Sequence, residues 1–96
     1  ITKAEIQGKH HTLAECCETT FNDKSSSERL RDYARKNLIF HLLKSKKPGA
    51  NIKAQEFFKS GPYVLNRCEH NEIFELIEDL EFRYELSMNL SNEIYI

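Results

Sequence analysis

Six side chains able to bind a transition metal, His10, His11, Cys16, Cys17, Cys68 and His70, stand in three close pairs along the chain. A structural zinc site needs ligands in spacings such as C-x2-C or H-x3-H, because two donors must converge on one ion at about 2.0 to 2.3 Å. Neither spacing occurs. Adjacent His10 and His11, and adjacent Cys16 and Cys17, point about 100° apart on a helix. Each pair therefore reads as one inward and one outward side chain, with His10 and Cys17 buried, and no metal is expected. Nucleophilic catalysis requires a thiol or hydroxyl beside a base, with donors for the oxyanion. Cys68 and His70 are two residues apart, which turns them to nearly opposite sides of a helix. No G-x-S-x-G, phosphate-cradling loop or dinucleotide fingerprint is present, and three glycines leave little material for one. The chain is expected not to be an enzyme and to need no cofactor.

Nucleic-acid chemistry has a better footing. Residues 54–67, AQEFFKSGPYVLNR, read as helix, tight turn and second helix. In that geometry the second helix enters the major groove and its early polar residues read base edges. Ser60, Tyr63, Asn66 and Arg67 are the candidate readers, with Lys46 and Lys47 as candidate phosphate contacts. The segment resembles a bacterial helix-turn-helix, and EFF followed by YVLNR is similar to one half of an AraC-type activator domain. The resemblance covers about a fifth of the chain and implies DNA binding. It departs from the usual register, in which a glycine falls four residues after a small residue, since Gly61 falls seven after Ala54. The competing reading of the same residues is an ordinary corner between two helices.

Charge is strongly segregated. Residues 1–23 carry a net −2, residues 24–67 a net +8 and residues 68–96 a net −7, which together leave −1. A cationic surface attracts polyanions and an anionic one attracts basic partners. Either the two large blocks neutralise one another within the fold or they face outward and select partners. Ninety-six residues, 40% of them apolar and 30% charged, fit one small folded domain spanning 1–96 rather than a disordered chain. No apolar run of 18 residues exists and the first residues lack a secretory pattern, so no membrane segment is expected. Three cysteines, an odd number with two adjacent, favour a reducing cytoplasm.

The elements that must position these residues are helices. Thr2 with Glu5 fits a capping box ahead of a first helix over about 3–20, with Ile6, His10, Leu13, Cys17 and Phe21 on one stripe. Ser25 with Glu28 fits a second box, ahead of a helix over about 26–44. In its front half Leu30, Tyr33, Ala34 and Leu38 share a face opposite Arg29, Arg31, Asp32, Arg35 and Lys36. Its back half, Leu38, Ile39, Phe40, Leu42 and Leu43, is apolar all round and is the expected centre of the core. Pro48 and Gly49 stop it. Asn51 caps a third helix over about 52–59, and Pro62 opens a fourth. A final helix over about 71–88 carries the stripe Ile73, Leu76, Ile77, Leu80, Tyr84 and Met88. Leu90 to Ile96 fit a packed tail, a short strand or a helix end. The fold class is all-α, a compact bundle of four to five helices, with a short extended C-terminal tail as one option.

At 100° per residue, Phe82 and Leu86 fall opposite the stripe of the final helix, among Glu75, Glu78 and Asp79. An apolar pair ringed by carboxylates fits a protein-binding or self-association surface, anchors giving affinity and charges selecting the partner. If the tail folds back over them, the pair is core instead. The function expected is a non-catalytic helical binding module acting through protein contacts, a small regulator, adaptor or inhibitor. Its partner is another protein or a second copy, and a DNA-binding regulator is the alternative.

Overall fold

The computed structural model describes the backbone of residues 1–95 and the side chains of residues 1–86. Among the described residues the chain is all-α, with five helices in the order α1 (Lys3–Asn22), α2 (Glu28–Lys44), α3 (Ala50–Lys59), α4 (Gly61–Glu69) and α5 (Ile73–Tyr95), and no strand. It divides into two compact units, 1–54 and 55–96, with the boundary inside α3.

In the first unit Thr2 caps α1 as its spacing requires, its Oγ1 accepting from the Glu5 N–H at 3.1 Å. The second cap is Ser27 rather than Ser25: Ser27 accepts from the Leu30 N–H, while the Ser25 N–H and hydroxyl both donate to the Asp23 carboxylate. A local turn at Asp23 thus takes Ser25 before the helix can use it. α1 and α2, joined by residues 23–27, pack against each other as a helical hairpin. Ala14 and Cys17 of α1 and Ala34, Leu38, Ile39, Leu42 and Leu43 of α2 are buried, so the back half of α2 is the core of this unit.

The buried face differs in detail from the expected one. Leu30 and Tyr33 are exposed, as are Ile6 and Leu13, and Phe40 keeps 39% of its surface in solvent. Arg35 and His41 are buried instead. Arg35 is admitted because its Nη2 donates to the Asp32 carboxylate at 2.7 Å, and His41 because both ring nitrogens have partners. α2 ends at Ser45. Lys46 (φ 53°) and Gly49 (φ 82°) then take left-handed backbone, and only at Gly49 is that free of Cβ strain. α3 starts at Ala50, which puts Asn51 inside the helix rather than at its cap.

In the second unit Ser60 caps α4 through the Tyr63 N–H, and Pro62 occupies the first turn, where its missing donor costs nothing. His70 and left-handed Asn71 (φ 59°) end α4, and α5 begins at Ile73. Residues 90–95 continue α5 as its helical end, so no extended tail exists there. Ile96 lies outside the described residues, and so do the side chains of Leu90, Ile94 and Tyr95 that were candidates to pack over Phe82 and Leu86.

Candidate docking surface and polar clusters

The second unit is organised around a charge. Arg67 is fully buried, and its guanidinium meets three groups: Nη1 donates to Tyr63 Oη at 2.8 Å and to Asp79 Oδ2 at 2.9 Å, and Nε stands 2.8 Å from Glu72 Oε1. The last is an ion pair by distance whose angle does not make it a hydrogen bond. Four residues of spacing put Tyr63 and Arg67 on one face of α4, and the α4–α5 turn brings Glu72 back to them. Tyr63 is itself buried, its ring 5.4 Å from that of Phe57. Burial pushes its phenol up to about 12, against the pull of Arg67. The Asp79 carboxyl is raised from its ordinary value because desolvation outweighs the guanidinium beside it.

Two of the four candidate base readers, Tyr63 and Arg67, are thus interior groups bonded to each other rather than surface ones. Ser60 is a half-buried cap and Asn66 is half-buried, while Lys46 and Lys47 are exposed in the other unit. The segment has the helix, turn, helix course expected, but its inner face is a charge cluster.

That cluster also sets the rotation of α5. Leu76 and Asp79 lie on its inward side, with buried Glu72 just ahead of its first residue and Phe82, Arg83 and Leu86 half-buried beside them. Phe82 and Leu86 are therefore not the open anchors that their ring of carboxylates suggests, and Asp79 is committed to Arg67. Glu75 and Glu78 are exposed. Of the stripe expected to face the core, Leu76 is buried, but Ile73, Ile77, Leu80 and Tyr84 are exposed, Tyr84 by 65%, and Phe74 beside them by 78%; the Met88 side chain lies outside the described residues. At 100° per residue the four fall within about 60° of one another, and Glu78, Glu81 and Glu85 follow about 80 to 140° further round. All three glutamates are exposed. The result is an apolar ridge bordered by an acidic row.

In the first unit His10, half-buried on α1, and His41, 6% exposed on α2, meet through their Nδ1 atoms at 2.9 Å, and His41 Nε2 is 2.8 Å from Tyr33 Oη. The His10 ring also meets Phe40 edge-on, with centroids 5.7 Å apart. Burial first, then the neighbouring His10, lowers the His41 pKa from its ordinary value. The sequence shows His10 but not its partner, 31 residues away. Elsewhere in this unit a cavity of about 380 Å³ is lined by Ala14, Leu38 and Leu42 together with Glu15, Glu18 and Lys53. Its charged rim is satisfied by His11–Glu15 at 2.6 Å and Lys53–Glu18 at 2.8 Å.

Cys17 is buried, Cys16 exposed and Cys68 half-buried, all as free thiols, and burial of Cys17 followed by the Cys16 charge pushes its thiol up to about 11. Among the described residues no group of three or more His, Cys, Asp or Glu is placed to hold a metal ion, and no helix is long and apolar enough to cross a membrane. No protein-family model matches the chain, and comparison with curated proteins and with solved structures finds no match either.

Proposed function

We propose that the chain is a non-catalytic helical binding module that acts through protein contacts, in a cytoplasmic setting suited to its free thiols, and that α5 is its docking element. One observation carries this reading: five large apolar side chains, Ile73, Phe74, Ile77, Leu80 and Tyr84, stand in solvent on one helix beside an acidic row. Scattered apolar residues on a surface need no explanation, but a contiguous set rimmed by charge marks a contact site. The spacing of Ile73, Ile77, Leu80 and Tyr84, in steps of four, three and four, is that of a seam between two helices.

Charge selects the occupant. Arg83 is the only basic residue of α5, and it donates to Gln55, so a second copy laid along the ridge would offer nothing cationic from its own α5 to Glu78, Glu81 and Glu85. The partner is an amphipathic helix of another protein, with apolar anchors flanked by Lys or Arg. The DNA alternative keeps its exposed Lys46 and Lys47 but has no support from Tyr63 or Arg67.

A designed helix of Leu and Lys, labelled for fluorescence anisotropy and compared with a Leu and Glu version of the same apolar pattern, tests the reading. The basic peptide should bind and the acidic one should not. Ile77→Ser with Leu80→Ser should weaken binding about 30-fold or more, the equivalent of roughly 2 kcal/mol for lost central anchors, with the melting temperature nearly unmoved. Equal binding of both peptides, or unchanged affinity in the double variant, would remove α5 as the site.

A further inference from the structure

The His10–His41 pair lies outside that surface and has chemistry of its own. We propose that the two imidazoles form a site for a divalent transition ion of the zinc type, bridging α1 and α2 through His10 Nδ1 and His41 Nδ1 with solvent completing the coordination. Imidazole nitrogen is a preferred donor for such ions. Two nitrogens bound tetrahedrally at about 2.05 Å stand roughly 3.3 Å apart, so from the present hydrogen-bonded separation of 2.9 Å the pair must open by a few tenths of an ångström and each ring must turn by about 35° so that both lone pairs aim at the ion. His10 is half-buried and Tyr33 exposed, which leaves an approach from water.

The Tyr33 contact supplies the feature that separates a ligand from an ordinary buried histidine. A metal-bound imidazole normally gives its other ring N–H to an oxygen, which fixes the tautomer and the ring plane. Tyr33 Oη stands 2.8 Å from His41 Nε2. With the proton on Nε2 donated to Tyr33, the His41 Nδ1 lone pair faces His10. Without an ion, His10 Nδ1–H donates to that lone pair. With one, His10 moves its proton to Nε2, and a neutral pair takes up the ion without releasing a proton. With two protein ligands the site is open, of the kind that exchanges its ion.

The test is a thermal melt with and without Zn²⁺ at pH 7.5. An ion bound only by the folded unit should raise the melting temperature by about 10 °C or more at a hundredfold excess over its dissociation constant. His10→Ala should abolish the rise, measured against its own zinc-free melt because the substitution also takes a partner from buried His41, whereas His11→Gln should keep it. Tyr33→Phe should keep the fold and weaken binding about 10-fold or more. Co²⁺ in place of Zn²⁺ should give a visible d–d band without thiolate charge transfer. An undiminished rise in His10→Ala, or a cobalt spectrum dominated by thiolate bands from Cys16, Cys17 or Cys68, would overturn the assignment.

Discussion

Replacing Arg67 by Ala should cost the second unit about 3 to 5 kcal/mol, because it removes the buried guanidinium that faces the Glu72 and Asp79 carboxylates. The Arg67 side chain is 0% exposed, and those of Glu72 and Asp79 are 4% and 16% exposed. Each carboxylate has already lost most of its hydration, and the guanidinium is what offsets that loss. Removing one member of a buried pair leaves an uncompensated charge, and that, rather than the net worth of the pair, sets the size of the effect. The loss is a large share of the 5 to 15 kcal/mol typical of a whole domain. Asp79, already raised by burial, should respond by taking a proton, so the defect should shrink as pH falls. Urea unfolding followed by circular dichroism gives the magnitude. Hydrogen exchange of residues 61–86 confines it to this unit, since two units need not unfold as one transition. The combination Arg67→Met, Glu72→Leu and Asp79→Leu should recover most of the loss, apolar groups of similar volume being tolerated where a lone charge is not. A loss below about 1 kcal/mol for Arg67→Ala, or a triple variant weaker than the single one, would refute the buried-charge account and return Arg67 to the surface.

Two further outcomes concern the first unit. Leu43→Ala should cost about 2 to 5 kcal/mol, as expected of a residue 5% exposed, and Phe40→Ala distinctly less, because 39% of Phe40 is already in water; thermal melts of the two variants check the order. His41 has a lowered pKa when folded, so its contribution to stability is fully present above the ordinary histidine value of 6.5 and is lost as pH falls through the lowered value. Melting temperatures between pH 7.5 and 5 should therefore drop in the parent protein and fall less steeply in His41→Leu, and parallel curves would count against the reading.

Much of the secondary structure is legible in the residues alone, because the signals are local. Thr2 caps where a Thr-x-x-Glu box predicts, and Pro62 opens α4. Ser27 displaced Ser25 only because Asp23 offered Ser25 a competing turn. The faces of the helices are less legible, and α5 shows why. Periodicity ranks faces by apolarity and assigns Ile73, Ile77, Leu80 and Tyr84 to the core. What turned the helix is a guanidinium upstream that requires Glu72 and Asp79 on the inner side, and no window on α5 contains Arg67. The same blindness to cross-helix partners hid His41, a polar residue in an apolar run whose two nitrogens are satisfied by Tyr33 and by His10 on another helix. Burial of polar groups is decided by partners, and partners are long-range.

The Arg67 cluster has a kinetic side as well. Tyr63, Arg67, Glu72 and Asp79 all fall within residues 63–79, so the loops that close to assemble it are short and their entropy of closure is small. Contacts this local form quickly compared with pairings drawn from distant parts of a chain. A guanidinium that had to leave water and await carboxylates from a remote segment would cross a tall desolvation barrier alone. Here the three charged groups can shed water together as α4 and α5 fold onto each other, which makes the α4–α5 turn, with its left-handed Asn71, the natural starting point for this unit.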